Sequence, residues 1–408
     1  MKKLTIDALP EGFFEGKRVL LRTDYNVPIR NGSITEDYRI RQTIPTIEYL
    51  AEKGAKIIII SHLGRPNGLA DPRLSLRPVS EKLAEILHVR DVQFVDECTG
   101  KHVKYLVSRL ERGEVLLLEN IRFYPQEEKN DPPFCREIAS LGDIFVNDAF
   151  STSHRKHAST FGIPCLFEYR IAGFVVNKEL GNLDNMIRSP KRPFLTIVGG
   201  AKIKDKINAL ENLLEISDRI MVGGCIANTF LNAIDVNVGD SVIETSCKSR
   251  INKIMKKYKD KIMLPHDFLV ESGDNINNTR NMYSDIPYGH SIVDIGRDTA
   301  FSYSQHIVQN RGTIFWNGPM GKYEIHDYSH GTNEIARAVS CAHWRGAYTL
   351  VGGGDTIAAI RKANVLLNEI DFVSTGGSAT LEYIGGMELP GISVLNNEIS
   401  NVKAINSN

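Results

Sequence analysis

Short runs of valine, isoleucine and leucine recur along the chain, and most are followed by glycine or polar residues and then by a stretch with helix-like spacing. This alternation predicts strand–helix–strand units, and the unbroken hydrophobicity of the runs is typical of parallel strands buried on both faces. So many parallel strands predict an α/β fold with two doubly wound sheets. The predicted strands are residues 19–21, 57–60, 115–118 and 144–146 in the first part of the chain, and 194–198, 220–222, 262–264, 292–293, 313–316, 348–351 and 372–373 in the second.

A helix-like stretch at residues 175–187 separates the two series of strands. It is followed by Ser189-Pro190-Lys191-Arg192-Pro193, and the two prolines of this segment cannot continue a helix. We therefore predict a domain boundary here. The predicted division is a first domain at 1–170, a connector at 171–193 and a second domain at 194–390, and the polar end at 396–408 is a candidate tail.

The composition is that of an ordinary globular protein, with 42% hydrophobic and 24% charged residues among 408. Lysine plus arginine and aspartate plus glutamate both total 49, so the formal net charge is zero. This balance argues against a disordered chain and against non-specific binding to nucleic acid or membrane surfaces. The six cysteines are scattered, no apolar run approaches the roughly 20 residues of a membrane span, and Asp7 and Pro10 interrupt any leader, so we predict a cytoplasmic protein.

Polar residues follow the predicted strands of the first part, and the carboxyl ends of parallel strands lie at one edge of a sheet. Arginine holds planar or tetrahedral anions with a fixed fork geometry, so several arginines at this edge predict a site for a small carboxylate or phosphate. Any one of them alone would more often be surface charge paired with a carboxylate. The residues that follow the strands are Arg22, Asp24, Asn26, His62, Arg65, Glu119, Asn120, Arg122, Asn147, Asp148, His154 and Arg155, and Arg39 and Arg41 from the stretch after Ile34-Thr35 are predicted to join them.

The second part repeats a different pattern, in which a strand is followed by glycines and then by a helix, as in TIVGGAKIKDKI, MVGGCIANTFL and TLVGGGDTIAAI. Glycines let the backbone approach phosphate closely and a helix start offers free N–H groups, so we predict a polyphosphate site. Tight packing of helix on strand is the alternative explanation. Lys202 and Lys206 are four residues apart, so one helix face is predicted to present both ammonium groups. Asp355 can hold Mg²⁺ against phosphate oxygens.

Taken together, these motifs resemble those of the phosphoglycerate kinase family. The match runs from about Lys17 to about Leu395 and preserves the order of several long motifs, which makes it far more specific than a single glycine-rich loop. The segments that carry it are RTDYNVP, SHLGRP, LLLENIRFYPQEEKND, NDAFSTSHRKHAST, VGGAKIKDKI, FWNGPMGKYE, GGGDT and STGG.

The resemblance implies two Rossmann-like domains joined by a helical hinge at 171–193. The domain at 1–170 would bind 3-phosphoglycerate, the domain at 194–390 would bind the nucleotide, and the tail at 391–408 would fold back on the first domain. Arg39, Lys202 and Lys206 match catalytic positions, and Asp355 matches the metal position. The implied substrate-binding residues are Asp24, Tyr25, Asn26, Arg39, His62, Leu63, Gly64, Arg65, Arg122 and Arg155, and the implied nucleotide-binding residues are Lys202, Lys206, Asn317, Glu324, Gly352, Gly353, Gly354, Asp355 and Thr356.

The implied reaction is reversible phosphoryl transfer from 1,3-bisphosphoglycerate to MgADP, giving 3-phosphoglycerate and MgATP in glycolysis, by a monomer that acts on neither nucleic acid nor membrane. An acyl phosphate is already activated, so this chemistry needs alignment, charge neutralisation and exclusion of water. Two alternatives are a non-catalytic nucleotide-regulated binding protein and another phosphotransferase acting on a carboxylate, such as a carbamate or amino-acid kinase. The HLGR segment and the arginines of the first part favour the phosphoglycerate kinase over both.

Three positions depart from the usual pattern of the family, and all lie in the nucleotide half. Cys225 follows Gly223-Gly224 where the family usually has a third glycine. Ser378 follows Ser374-Thr375-Gly376-Gly377, and the family usually has a third glycine here too. Lys322 replaces a small apolar residue. These changes bear on nucleotide affinity or selectivity and leave the predicted reaction unchanged.

Overall fold

The structure is a computed structural model that describes residues 2–89, 91–272, 275–281 and 286–398. The chain divides into two compact units. The first unit contains the residues up to Gly181 together with those from Glu388 onward, and the second runs from Asn182 to Met387. The division falls inside a helix, Phe174–Arg188, which lies within the predicted connector at 171–193.

The first unit is built on a parallel sheet whose strands are buried on both faces. Val19 and Leu21 belong to one core cluster and Leu20 belongs to another, so both faces of the central strand are covered by packed side chains. The strands of this unit are β1 (Arg18–Arg22), β2 (Ile29–Arg30), β3 (Ser33–Ile34), β4 (Lys56–Ile60), β5 (Val92–Val95), β6 (Val115–Leu118), β7 (Ile144–Asn147) and β8 (Arg170–Ala172). Six of them form the sheet in the order β5-β6-β4-β1-β7-β8, and β2 pairs with β3.

One helix of the first unit, Pro132–Ala139, begins with a side-chain cap. The Asp131 side chain accepts a hydrogen bond of 3.0 Å from the Phe134 N–H, and prolines occupy the first turn, where an N–H has no helical partner. The helices of the first unit are α1 (Tyr38–Glu52), α2 (Arg77–Ile86), α3 (Lys101–Arg109), α4 (Pro125–Lys129) and α5 (Pro132–Ala139), with shorter turns at Ile6–Ala8, Pro72–Leu74, Ile121–Phe123, Phe150–Thr152, Ala158–Gly162 and Pro164–Leu166, and α6 (Phe174–Arg188) begins in the first unit and ends in the second.

The second unit contains another parallel six-stranded sheet and a small antiparallel sheet. Its strands are β9 (Phe194–Val198), β10 (Arg219–Val222), β11 (Ile262–Met263), β12 (Asp267–Ser272), β13 (Asn275–Asn281), β14 (Ser291–Ile295), β15 (Thr313–Asn317), β16 (Tyr348–Gly352) and β17 (Phe372–Ser374). The parallel order is β11-β10-β9-β15-β16-β17, which is the strand order of the Rossmann fold. The predicted fold class, with two doubly wound Rossmann-like sheets, is thus confirmed.

One predicted strand has a different place from the one expected. Residues 292–293 lie in β14, which pairs antiparallel with β12 in the three-stranded sheet β13-β12-β14 and takes no part in the parallel sheet. The expectation was wrong because a short apolar run does not show which strand will be its partner. The strands β2, β3, β5, β8, β12 and β13 have no counterpart among the predictions, since they are short or are interrupted by polar residues such as Gln93.

Most helices of the second unit follow a strand of its parallel sheet. They are α7 (Ile207–Ile216), α8 (Gly224–Ala233), α9 (Lys248–Tyr258), α10 (Arg297–Gln309), α11 (His330–Trp344), α12 (Gly354–Lys362) and α13 (Ser378–Ile384), with shorter turns at Thr245–Cys247, Lys259–Lys261, His326–Tyr328 and Leu367–Glu369.

The segment after Met387 belongs to the first unit and contains α14 (Pro390–Ser393). The Gly391 N–H donates to the Ser153 carbonyl at 2.8 Å, and the Leu4 N–H donates to the Asn396 carbonyl at 2.8 Å. Residues 399–408 of the predicted tail lie outside the described residues.

In each parallel sheet the chain adds strands first on one side of a central strand and then on its other side. Two paired strands lie at the point where this switch occurs. In the first unit these are β1 and β7, and in the second they are β9 and β15. Doubly wound sheets bind ligands beyond the carboxyl ends of such strands. The segments after these four strands are therefore where a functional site is expected.

Candidate active site

The polar residues at the carboxyl end of the first sheet are organised around Asp24, which follows β1. Its carboxylate accepts hydrogen bonds from the Arg39 guanidinium and from the Ser151 hydroxyl. Asp24 Oδ1 also lies 3.8 Å from His62 Nδ1. These partners come from the first turn of α1, from the segment after β7 and from the end of β4, so the parallel sheet brings distant parts of the chain together.

The charge state of this group is set by burial and by its neighbours. Burial alone would raise the pKa of the Asp24 carboxyl group, but the Arg39 charge and the hydrogen bond from Ser151 outweigh it and lower that pKa to about 2. Burial lowers the pKa of the His62 imidazole well below its ordinary value, against the opposing charge of Asp24. At neutral pH Asp24 is therefore ionised and His62 is neutral.

A second set of hydrogen bonds connects the loops after β1, β4 and β6. Asn26 Oδ1 accepts from the Gly64 N–H at 3.0 Å, and Arg122 Nη1 donates to the Gly64 carbonyl at 2.7 Å. Gly64 has a φ of 63°, and a Cβ at this position would lie 2.8 Å from the Leu74 side chain. Glycine is therefore favoured here by the left-handed backbone conformation, and a Cβ would also require the Leu74 side chain to move.

The guanidinium groups near this edge create a positive field. Burial and the charges of Arg22 and Arg155 lower the pKa of Arg122 to about 10. Burial also lowers the pKa of Arg22, and the charge of Arg155 acts in the same direction. Cations that depress one another's pKa are stabilised by a bound anion, so this edge of the sheet is suited to a carboxylate or phosphate ligand.

Three of the predicted substrate residues have a different environment from the others. The Tyr25 ring is buried in the core and its hydroxyl lies 3.2 Å from the Thr43 hydroxyl. The Leu63 side chain is also in the core, and its N–H donates to Asn120 Oδ1. Only the backbone atoms of these two residues lie among the polar groups, whereas Arg65 is exposed.

The second unit contains a cavity of about 400 Å³ at the carboxyl end of its parallel sheet. The segments that form its walls follow β9, β15, β16 and β17. Residues predicted from the sequence that line it are Lys202, Lys206, Asn317, Gly353, Gly354, Asp355 and Thr356.

The two lysines reach this cavity from a loop. The prediction that one helix face presents both was wrong, because α7 begins only at Ile207 and residues 202–206 form turns. The preceding Gly200 has a φ of 95°, which turns the chain away from a helix. Lys206 Nζ donates to the Gly199 carbonyl at 2.7 Å, and burial lowers its pKa to about 8 against the opposing charge of Asp355.

Side-chain hydrogen bonds hold the glycine-rich loop that precedes α12. Thr356 Oγ1 donates to the Gly352 carbonyl at 2.8 Å and accepts from the Gly318 N–H at 2.7 Å. Asn317 Nδ2 donates to the same carbonyl at 2.8 Å. These bonds fix the start of α12 at the cavity, where its first N–H groups have no helical partner and favour an anion.

A second cavity of about 230 Å³ adjoins the first and shares Asp355 with it. Glu324 lines this second cavity and not the larger one. Its wall is partly apolar, with contributions from Val242, Ile292 and Met320. Cys225 and Lys322, two of the positions that depart from the family pattern, also line it, and the third, Ser378, lines the larger cavity.

Two residues of these sites were not singled out by the sequence. Ser151 lies inside the segment NDAFSTSHRKHAST, but a lone hydroxyl has no diagnostic spacing. Asp205, which lies between Lys202 and Lys206 in the sequence, lines the larger cavity. An acidic residue among lysines has the sequence pattern of an exposed surface segment, so it gave no signal of a site.

Two features are absent from the described part of the chain. No helix in the described ranges combines the length and the apolar character needed to cross a bilayer. Among the same residues, no three His, Cys, Asp or Glu side chains are grouped as a metal-binding set.

Comparison with known proteins assigns the chain to a family. The sequence model for phosphoglycerate kinase matches residues 9–387. The chain belongs to the phosphoglycerate kinase family. Phosphoglycerate kinase of Rubrobacter xylanophilus is 46% identical over 382 residues, which cover 93% of this chain and 95% of the relative. That of Chloroflexus aurantiacus is 45% identical over 387 residues, covering 93% of this chain and 96% of the relative.

Solved structures agree with this assignment. The phosphoglycerate kinase structure from Coxiella burnetii has a TM-score of 0.83 and 36% identity, covering 97% of this chain and 99% of that one. The structure from Pyrococcus horikoshii has a TM-score of 0.82 and 30% identity with the same coverage. The chain is therefore a kinase that transfers a phosphoryl group between 1,3-bisphosphoglycerate and ADP in glycolysis, and its substrates are small molecules.

Proposed function

We propose that the polar groups at the carboxyl end of the first sheet bind 3-phosphoglycerate and the phosphoryl group that is transferred. The observation that carries this proposal is the cluster of Arg39, Asp24 and neutral His62, surrounded by the positive field of Arg122 and Arg155. Arginine forks complement carboxylate and phosphate oxygens. The full set is Asp24, Asn26, Arg39, His62, Arg65, Arg122 and Arg155, with the backbone of Tyr25, Leu63 and Gly64.

The nucleotide is proposed to bind in the second unit, with its phosphates in the larger cavity. Lys202, Lys206 and the N-terminus of α12 supply positive charge and N–H groups there. The adjoining, partly apolar cavity suits the sugar and base, where Glu324 can accept a hydrogen bond from a ribose hydroxyl. Asn317, Thr356 and Gly352 to Gly354 form the loop framework that surrounds the phosphates.

Mg²⁺ is proposed to bind together with the nucleotide phosphates. Asp355 is exposed in the first turn of α12, and Asp205 lines the same cavity. One or two carboxylates plus phosphate oxygens and water form the usual magnesium environment in phosphoryl-transfer enzymes, so the donors present fit this ion. When bound, Mg²⁺ would neutralise negative charge on the phosphate oxygens.

The chemical step needs no nucleophile from the protein. In the direction of ATP formation, a terminal oxygen of ADP forms a bond to the phosphorus, and the bond between phosphorus and the acyl oxygen breaks to release a carboxylate. The ADP oxygen is already unprotonated, so no general base is required. Arg39, Lys202 and Lys206 are proposed to neutralise the charge of the transferring group.

We also propose that binding of both substrates closes the enzyme about the segment 171–193, which excludes water from the reacting groups. A ligand shifts such an equilibrium only if it binds the closed form more tightly. Small-angle scattering should therefore give its smallest radius of gyration with 3-phosphoglycerate and a nucleotide both bound. An equal radius in the free, singly bound and doubly bound enzyme would contradict closure.

The enzyme is further proposed to act as a monomer in the cytoplasm. All residues that line the two nucleotide cavities come from the second unit of one chain, so this site needs no second copy. Sedimentation equilibrium should give the mass of a single chain with and without substrates. A dimer mass at micromolar concentration would contradict the monomer.

A coupled assay tests the proposed function as a whole. The enzyme is supplied with 3-phosphoglycerate and ATP, and formation of the acyl phosphate is followed while Mg²⁺ is varied. The expected result is turnover that saturates in both substrates and disappears when a chelator removes Mg²⁺. Turnover that persists without Mg²⁺ would contradict the metal role, and turnover with carbamate in place of 3-phosphoglycerate would contradict the substrate.

A further inference from the structure

Arg22, the last residue of β1, is not among the residues proposed to bind the substrate, yet its side chain contacts one of them. Its side chain is almost fully buried, with 1% of its surface exposed. Its Nε donates to Ser159 Oγ at 2.8 Å and its Nη1 donates to the Thr23 carbonyl. Its remaining terminal nitrogen, Nη2, lies 3.3 Å from His62 Nδ1.

The chemistry of arginine decides the direction of this last hydrogen bond. A guanidinium group carries five N–H donors and no acceptor, and it stays protonated in proteins. In the contact with Arg22, His62 Nδ1 must therefore be the acceptor and must carry no proton. The single ring proton of a neutral His62 then resides on Nε2.

We propose that Arg22 is a positioning residue that holds His62 as the neutral imidazole with its proton on Nε2. His62 thereby offers the substrate a hydrogen-bond donor and is neither a further cation nor a general base. This inference rests on the proposed substrate site, of which His62 is a member.

Asp24 is the competing partner of His62, because a carboxylate at 3.8 Å from Nδ1 would attract a proton to that nitrogen. Its oxygens are already engaged: Oδ2 accepts from Arg39 and Ser151, and Oδ1 accepts from the Asn26 N–H at 3.0 Å. The contact with Arg22 is also the shorter one. The charged groups that act on His62 are Asp24, Arg22, Arg122 and Arg39, and the three arginines all oppose protonation of the ring.

A buried carboxylate holds Arg22 in this position. Ser159 Oγ donates to Glu127 Oε1 at 2.6 Å, and the Ser159 N–H donates to Glu127 Oε2 at 2.9 Å. Because the serine hydroxyl gives its only proton to Glu127, it must accept from Arg22 Nε. Glu127 thus balances the buried charge of Arg22, and one chain of hydrogen bonds runs from Glu127 through Ser159 and Arg22 to His62.

The test is nitrogen NMR of the full-length enzyme labelled with ¹⁵N-histidine, with His62 assigned from a His62→Gln variant. In the wild-type enzyme the expected signals are an unprotonated Nδ1 and a protonated Nε2, unchanged between about pH 6 and about pH 8. A proton on Nδ1 in the wild-type enzyme would overturn the inference. This measurement needs no variant at Arg22, so it does not depend on how well such a variant folds.

Removal of the arginine gives the second measurement. In Arg22→Met, Asp24 becomes the nearest charged partner of Nδ1, so the fraction of His62 with a proton on Nδ1 should rise by about tenfold or more. The KM for 3-phosphoglycerate should then depend on pH in the neutral range. Arg18→Met, at the other end of β1, is the matched control and should leave the His62 signals unchanged. Unchanged His62 signals in Arg22→Met would overturn the inference.

A milder variant covers the case in which Arg22→Met does not fold. Ser159→Ala removes the hydroxyl between Glu127 and Arg22 and should shift the His62 signals in the same direction by a smaller amount. Addition of 3-phosphoglycerate to the wild-type enzyme separates this inference from the proposed function. If the tautomer is as expected but the substrate leaves the Nε2 signal unchanged, the substrate site assigned to His62 is wrong. If Nδ1 carries the proton while Nε2 still responds to substrate, only the role of Arg22 is wrong.

Discussion

At the scale of single residues, Arg39 is the group on which catalysis should depend most. It is half-buried, it pairs with Asp24, and in the proposed site it faces the phosphoryl group. An arginine that neutralises a transferring phosphoryl group can supply about 10³ to 10⁵ in rate. Arg39→Ala should lower kcat by about this factor and leave ADP affinity unchanged, because the nucleotide is proposed to bind in the other unit.

Arg41 provides the control for this prediction. It follows Arg39 by two positions in α1 and pairs with Asp37 at 2.9 Å on the exposed surface. Arg41→Ala should keep nearly full activity in the same coupled assay. A kcat of Arg39→Ala within about tenfold of the wild type would show that Arg39 does not stabilise the transition state.

Replacement by alanine should affect different properties at two glycines of the loops proposed to bind the nucleotide. A Cβ at Gly199 would lie 2.1 Å from the Pro319 carbonyl oxygen, whereas a Cβ at Gly354 has no atom within 4 Å. Gly199→Ala should therefore destabilise the protein by about 1 to 3 kcal/mol. Gly354→Ala should leave the thermal unfolding midpoint unchanged and weaken ADP binding roughly tenfold, because the methyl group enters the cavity proposed for the phosphates. Equal losses of stability in the two variants would contradict this assignment.

The sequence predicts most of these residues, but it does not predict where each side chain points. Asp24 and Tyr25 are neighbours in one motif, yet the carboxylate is in the polar cluster and the ring is in the core. Lys202 and Lys206 have helical spacing but lie in a turn, because Gly200 redirects the chain. Such details depend on backbone conformation in loops, for which the residue pattern carries little information.

At the scale of elements, a buried acid after β7 contacts the start of α6. Asp148 follows β7, and its Oδ1 accepts a hydrogen bond of 2.8 Å from the Val175 N–H in the first turn of α6. Burial raises the pKa of its carboxyl group to about 7, although the hydrogen bonds from Thr46 and Val175 act in the opposite direction. The folded protein thus keeps a proton here that the unfolded chain loses near pH 4.

This difference predicts that part of the stability depends on pH. Between about pH 4 and about pH 7 the folded state binds more protons at Asp148 than the unfolded state does, so this contribution to the free energy of unfolding falls as the pH rises. From about pH 5 to about pH 8 the loss should be on the order of 2 kcal/mol. Asp148→Asn mimics the protonated acid and should remove this part of the pH dependence. Urea unfolding of both proteins at the two pH values checks it, and the same pH dependence in both would contradict the assignment.

The strands that are buried in the core were predictable from the sequence. Strands such as β6, with the sequence VLLL, are fully buried and show as unbroken apolar runs. The run at 292–293 also forms a strand, but its partner β12 became evident only in the structure. Edge strands such as β5 are less buried and carry polar residues, so their pattern is weak. Hydrophobic pattern therefore predicts which segments are strands more reliably than it predicts which strands pair.

At the scale of the whole molecule, the central claim is that each substrate has its own unit. The residues proposed to bind 3-phosphoglycerate belong to the first unit, and the residues that line the two cavities proposed for the nucleotide belong to the second. Arg65 and Asp355 allow a clean test, since both side chains are exposed and neither is part of a hydrophobic core. Replacing either one should change binding without changing the fold.

The most direct measurement is calorimetric titration of 3-phosphoglycerate and of MgADP into Arg65→Ala and into Asp355→Ala. Hydrogen bonds to charged groups contribute about 1.5 to 3 kcal/mol, so each variant should lose roughly 10- to 100-fold in affinity for its own ligand. Arg65→Ala should bind MgADP as the wild type does, and Asp355→Ala should bind 3-phosphoglycerate as the wild type does. A loss of both ligands in either variant, or a loss of the opposite ligand, would contradict the assignment of one substrate to each unit.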